Sequence, residues 1–200
     1  MVEKIIEKTY TYKYTIPTPK ELFEMFKEKF SKVTLPDSWE VSDPWTRTIL
    51  DIFDDIGRSL GYKPRKEYLR LDRTWEIRHD DISVIVLALE HENTSNVEEI
   101  LDDELQKLLD VKAFLKILIF YPTVPVAMGE EEEFKGVSTF PEIQGKIRSA
   151  KIKNSDERHI VIGITYARHE NALYVSACSF DYEGKGEDLG DFQISYTSKD

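Results

Sequence analysis

The order helix, strand, strand, helix, strand in the middle of this 200-residue chain predicts an α/β fold, with helices flanking a mixed β-sheet. Three observations carry that expectation. Two amphipathic helical stripes come first: Leu22, Phe23, Phe26 and Phe30, then Trp45, Ile49, Ile52, Phe53, Ile56 and Leu60. The run Ile82 to Leu89 is apolar apart from Ser83, as in a strand covered on both faces. A third helical stripe (Val97, Ile100, Leu101, Leu105, Leu108, Leu109) is followed by the short apolar run Phe114 to Tyr121.

Taken in order, residues 3–16 alternate, with Tyr10, Tyr12, Tyr14 and Ile16 on one side, and read as a strand. Thr18-Pro19 opens the first helix, Thr18 as N-cap and Pro19 at the first helical position. Ser42-Asp43-Pro44 opens the second, and Gly61 is its stop. A β-hairpin follows, with its second arm at Ile82 to Leu89. Asn96 or Ser95 caps the third helix, which runs to about Val111. Pro122 to Gly136, with Pro125, Gly129 and the glutamates Glu130 to Glu133, reads as a mobile loop. A short helix from Pro141 to about Ala150 precedes strands at His159–Ala167 and Ala172–Asp181, joined by a turn around Glu170-Asn171. Glu183-Gly184-Lys185-Gly186 breaks the chain before a last short strand, Phe192–Tyr196. No repeat, linker or low-complexity tract divides the chain, so residues 1–200 are expected to form a single domain.

Composition narrows the classes. At 40% hydrophobic and 12% aromatic residues the chain has material for a substantial core. No apolar run is long enough to span a membrane. The charged N-terminus MVEKIIEKTY lacks the apolar stretch of a signal peptide, and the single cysteine, Cys178, excludes an intrachain disulfide. A cytoplasmic location is expected, and the many Lys, Glu and Ile residues fit a thermophilic source. The net charge of −11 excludes a general nucleic-acid coat protein. Basic residues nevertheless gather in two places: Lys63, Arg65, Lys66, Arg70, Arg73 and Arg78, and the segment Lys146, Arg148, Lys151 and Lys153.

The densest chemistry lies in Arg70 to Asn93. If the hairpin turns at about Asp81, antiparallel partners have numbers summing to about 162, which sets Asp72 opposite Glu90. Glu92, two residues on, shares that face. Like charges this close repel, and carboxylate oxygens suit a hard divalent cation such as Mg²⁺ or Mn²⁺. A slip of one residue would undo the alignment.

Helix, then a strand hairpin carrying Asp72, seventeen intervening residues and Glu90-His91-Glu92, then helix and strand, resembles the PD-(D/E)xK nuclease superfamily, the restriction-endonuclease-like fold. The resemblance covers about residues 43–121 as core and leaves 122–200 as a C-terminal extension with strands. It implies a magnesium-dependent phosphodiesterase acting on DNA, less readily on RNA. Asp72, Glu90 and the His91 backbone carbonyl would hold the metal, which would activate a water. Leu71 replaces the motif proline, and Glu92 stands where most members carry lysine. Glu92 would then aid the water or a second metal, and Lys107 or Lys116 would supply the missing cation. Arg70, Arg73, Lys146, Arg148 and Lys151 would track a phosphate backbone. The implied partner is a nucleic acid; a homodimer is compatible with the sequence, and no membrane partner is expected.

Plainer readings stand beside these. Asp72 pairs equally well with Arg70 or Arg73, and Glu92-Asn93 would serve as the start of a solvated turn. Asp51, Asp54 and Asp55 read as the polar face of the second helix. Trp39, Trp45 and Trp75 read as core, and Cys178 as packing. His79, His91, His159 and His169 show no metal-ligand spacing. On the same fold, the missing motif lysine and the acidic balance also suit a non-catalytic interaction module, its acidic surface meeting a basic protein. A third alternative is an enzyme acting on a small phosphorylated or acidic substrate.

Overall fold

The computed structural model describes residues 15–34, 42–79, 82–93, 96–122, 139–150, 155–167 and 170–195. Residues 3–14 of the expected N-terminal strand, Trp39, most of the expected loop with Glu130 to Glu133, and Lys151 and Lys153 lie outside the described residues.

Helix α1 (Pro19–Phe30) begins in a capping box: the Glu21 amide donates to the Thr18 hydroxyl at 3.2 Å, and the Thr18 amide donates to the Glu21 carboxylate at 2.8 Å. Helix α2 (Ser42–Ser59) ends before Gly61, whose φ of 84° is the left-handed turn a glycine adopts without strain. The predicted stripes of both helices are buried, with Leu60 half-buried at the end of the second.

Seven strands form one sheet in sequence order: β1 (Lys63–Tyr68), β2 (Leu71–His79), β3 (Ile82–His91), β4 (Leu115–Phe120), β5 (Arg158–Ala167), β6 (Ala172–Asp181) and β7 (Gly186–Ser195). Strands β3, β4 and β5 run parallel, and every other neighbouring pair is antiparallel. The expected mixed α/β architecture is therefore present, and the C-terminal strands extend the same sheet.

Alternate residues of the central strands enter two apolar layers, as the two-residue period of a strand requires. Leu87, Leu89, Ile117, Ile119, Ile160 and Ile162 face α1 and α2. Ala88, Leu118, Phe120 and Val161 face the other side. There they meet a composite helix and α5 (Thr139–Ser149). The composite helix joins α3 (Val97–Glu99), a π-helical turn (Ile100–Glu104) and α4 (Leu105–Asp110). Burial on both faces is why the β3 run is continuously apolar and does not alternate.

Two elements depart from expectation. Strand β1 went unpredicted because its sequence, KPRKEY, has no apolar face; it is an edge strand tied to β2 by its backbone. Strand β7 starts at Gly186, six residues before the expected Phe192, and carries Gly190 at φ 100° where its register with β6 shifts.

Candidate functional site

The hairpin register is the one the 162 rule requires at the site end. Arg73 pairs with Leu89, Thr74 with Ala88 and Trp75 with Leu87, and a bulge between Trp75 and Glu76 shifts the pairing only towards the turn. One more step sets Asp72 against Glu90 on the face that meets the composite helix. Asp72 holds the strand end directly: its Oδ2 accepts the His91 amide at 2.9 Å. Both acids lie at the carboxyl end of β3, where it runs parallel to β4 and β5, a common place for sites in parallel sheets.

The side chain that joins them is Glu104, which sequence reasoning missed. It ends the π-helical turn, in which the Leu105 amide donates to the Ile100 carbonyl. A readable signal existed, since position 104 falls four residues after Ile100 and four before Leu108 on the inward stripe. A carboxylate on an apolar stripe needs a partner. Lys107, one turn on, donates to both Glu104 oxygens at 2.7 Å and stands 4.0 Å from Glu90 Oε1.

The electrostatics follow from crowding. Burial, the Asp72 charge and Glu104 push the Glu90 carboxyl up to about 10, with Lys107 opposing. Burial also raises Asp72, while the His91 amide, bonded to its charged form, pulls it down. Burial alone would lower the Lys107 ammonium, but the bond to Glu104 and the charges of Glu90, Glu104 and Asp72 leave it raised. Glu90 and Glu104 approach within hydrogen-bonding reach, so a proton on Glu90 is shared with Glu104, whereas with both ionised neither offers a donor. Oε1 of Glu90 is buried and receives no hydrogen bond from another protein group, the only carboxylate oxygen so placed among the described residues.

Other buried acids are matched directly. Asp54 meets Arg73 Nε at 3.1 Å, Glu76 meets Arg65 at 2.8 Å, and Glu157 meets Lys116 at 2.8 Å. Three expectations shift as a result. Arg73 is buried on the α2 side, bonded to Asp54 and the Asp72 carbonyl, and does not face a backbone phosphate. Asp54 belongs to that internal pair and not to the polar face, while Asp51 and Asp55 are exposed. Lys116 is buried beside Glu157, one strand over and two residues back from the register partner of Glu90, so of the two candidate lysines only Lys107 reaches the acids.

Glu92 follows the end of β3. Its amide donates to the Ile119 carbonyl at 2.8 Å. The His91 ring lies on the opposite face, with Nε2 2.7 Å from the Tyr121 hydroxyl. Burial lowers its pKa to about 4, so it is neutral. Arg70 sits in the two-residue β1–β2 turn, where Leu69 and Arg70 have φ of 56° and 66°, and Leu69 is 52% exposed. Lys146 on α5 bonds Asp102 at 3.0 Å, and Arg148 is exposed. Trp45 and Trp75 are buried, as expected, and Cys178 is half-buried.

Among the described residues no helix is long and apolar enough to cross a membrane, and no three His, Cys, Asp or Glu side chains are gathered as a ready metal-holding group. No protein-family model and no curated protein sequence matches this chain.

Proposed function

We propose that the chain is a divalent-metal phosphodiesterase of restriction-endonuclease-like type, cutting DNA in preference to RNA. The carrying observation is the buried, hydrogen-bond-deficient Oε1 of Glu90, placed by the strand register beside Asp72. Helix α2, the hairpin strands β2 and β3, the composite helix and the parallel strand β4 follow the order of the resemblance, with β1 inserted before the hairpin.

The residues fit a hard cation. Asp72 and Glu90 offer carboxylate oxygens, the His91 carbonyl directly follows Glu90, and a buried oxygen without a donor is satisfied by a cation as well as by a proton. Asp72, Glu90 and the His91 carbonyl would hold Mg²⁺ or Mn²⁺, which, when bound, polarises a phosphate and lowers the pKa of a water. Asp72 also fixes the strand end through the His91 amide, and the neutral His91 ring braces that segment against Tyr121. Lys107 presents an ammonium at the edge of the site for charge developing on phosphate. Arg70 at the hairpin turn and Arg148 on α5 are exposed and suited to backbone contacts.

Purified protein is expected to nick or degrade DNA with Mg²⁺ or Mn²⁺, and both Asp72→Ala and Glu90→Ala to abolish the activity. Cleavage unchanged in those variants would sink the assignment. One observation favours the second reading, a non-catalytic module for a basic protein: Glu98, Glu99, Asp102, Asp103 and Asp110 form an exposed acidic surface on the composite helix. A salt-sensitive complex with a basic protein, with no Mn²⁺ binding at the hairpin, would select it.

A further inference from the structure

The geometry points to Glu104 as a third cation ligand and to Lys107 as a built-in place-holder that a divalent cation displaces. This inference rests on the metal-dependent reading above and assigns to the composite helix a part that the hairpin motif does not contain.

The hairpin supplies two acids, but the group that closes over Glu90 comes from the helix. The π-helical turn Ile100–Glu104 ends at Glu104, and the Leu105-to-Ile100 hydrogen bond marks the extra residue it inserts. Such turns re-aim a side chain at little cost to the rest of a helix and recur at functional sites. Here Glu104 is brought within reach of the Glu90 carboxyl. Asp72 and Glu104 both act on Glu90, and Lys107 is the cation that opposes them there.

The contacts of Lys107 are unequal. It grips both oxygens of Glu104 at 2.7 Å but stops 4.0 Å short of Glu90 Oε1. A monovalent ammonium bonded to Glu104 leaves the buried Oε1 without a donor, whereas the internal pairs Asp54–Arg73, Glu76–Arg65 and Glu157–Lys116 close at 3.1 Å or less. A divalent cation bridging Glu90, Glu104 and Asp72 would satisfy Oε1 and carry one more charge than Lys107. In this arrangement the three acids are not gathered as a ready three-ligand group, and the Lys107 ammonium is bonded to Glu104. Lys107 retains 27% of its side-chain exposure, so it has solvent to swing into. Once displaced, its ammonium is free to meet a phosphate oxygen.

Calorimetric titration with Mn²⁺ of wild type, Glu90→Ala, Glu104→Gln, Lys107→Met and Lys107→Gln tests this without any activity. Loss of binding in Glu90→Ala establishes the metal site itself. Glu104→Gln is expected to weaken binding roughly tenfold or more, and both Lys107 variants to tighten it by a similar factor. Thermal melting without metal checks folding: the Lys107 variants should melt lower than wild type and regain more on adding Mn²⁺. Tight binding in the Lys107 variants with none in wild type would still support a place-holder. Wild-type binding left unchanged by Glu104→Gln, or weakened by both Lys107 variants, overturns the inference and leaves the metal reading standing. No binding to any of the proteins overturns both.

Discussion

Replacing Glu90 with glutamine should make the protein more stable in alkaline solution, by an amount that grows with pH. Glu90 has an ordinary carboxyl pKa of 4.5 when unfolded and about 10 in the fold, because burial and the neighbouring Asp72 and Glu104 disfavour its charge. Between those values the native state holds a proton that the unfolded state has lost. Stability from the protonated form is complete below about pH 4.5, declines as pH rises, and is gone above about pH 10. The slope for one group is at most about 1.4 kcal/mol per pH unit, so the two units from about pH 6 to pH 8 remove no more than roughly 3 kcal/mol. Asp72, Glu104 and Lys107 share the site, and Lys107 opposes the shift, so the measured figure should fall below that ceiling. Glutamine cannot ionise, and its amide can donate to Glu104 as a protonated Glu90 would. Urea unfolding of wild type and Glu90→Gln at several pH values is the assay. The difference should be smallest near pH 5 and should widen in favour of the variant up to about pH 9. Curves that stay parallel across that range would refute a buried, protonated Glu90.

Three further outcomes are expected from contacts elsewhere. Tyr121→Phe removes the hydroxyl beside the buried His91 Nε2 and should lower stability by about 1–3 kcal/mol in thermal or chemical denaturation. Lys116→Met strands Glu157 in the interior and should cost about 3–5 kcal/mol, much of it restored by adding Glu157→Leu; a cost under ~1 kcal/mol would mean that the pair is hydrated. Gly57→Ala places a Cβ 2.7 Å from the Trp75 ring, so α2 must move off β2, with an expected loss of about 1–3 kcal/mol by denaturant unfolding.

What was legible in the residues obeys short-range rules. Thr18, Pro19 and Glu21 announce a capped helix because every partner lies within one turn. The Asp72–Glu90 alignment was computable because a hairpin has only its turn and its strand period to set. The turn guess gave the correct sum at the site end even though a bulge at Trp75/Glu76 shifts the pairing beyond it. Lys107 entered as one of two stand-ins for the lysine that the resemblance lacks, and periodicity placed it only on the third helix.

By itself, then, the amino-acid order determined the helices, the hairpin, the mixed α/β class and the alignment of Asp72 with Glu90. Tertiary structure decided the rest. Glu104 meets Glu90 because a π-helical turn and the packing of one helix on β3 bring it there. Lys116 and Arg73 turned inward because Glu157 and Asp54, distant in sequence, meet them only once the sheet and α2 are assembled. The C-terminal strands joined the same sheet because β5 pairs in parallel with β4, a contact between segments that no local periodicity encodes.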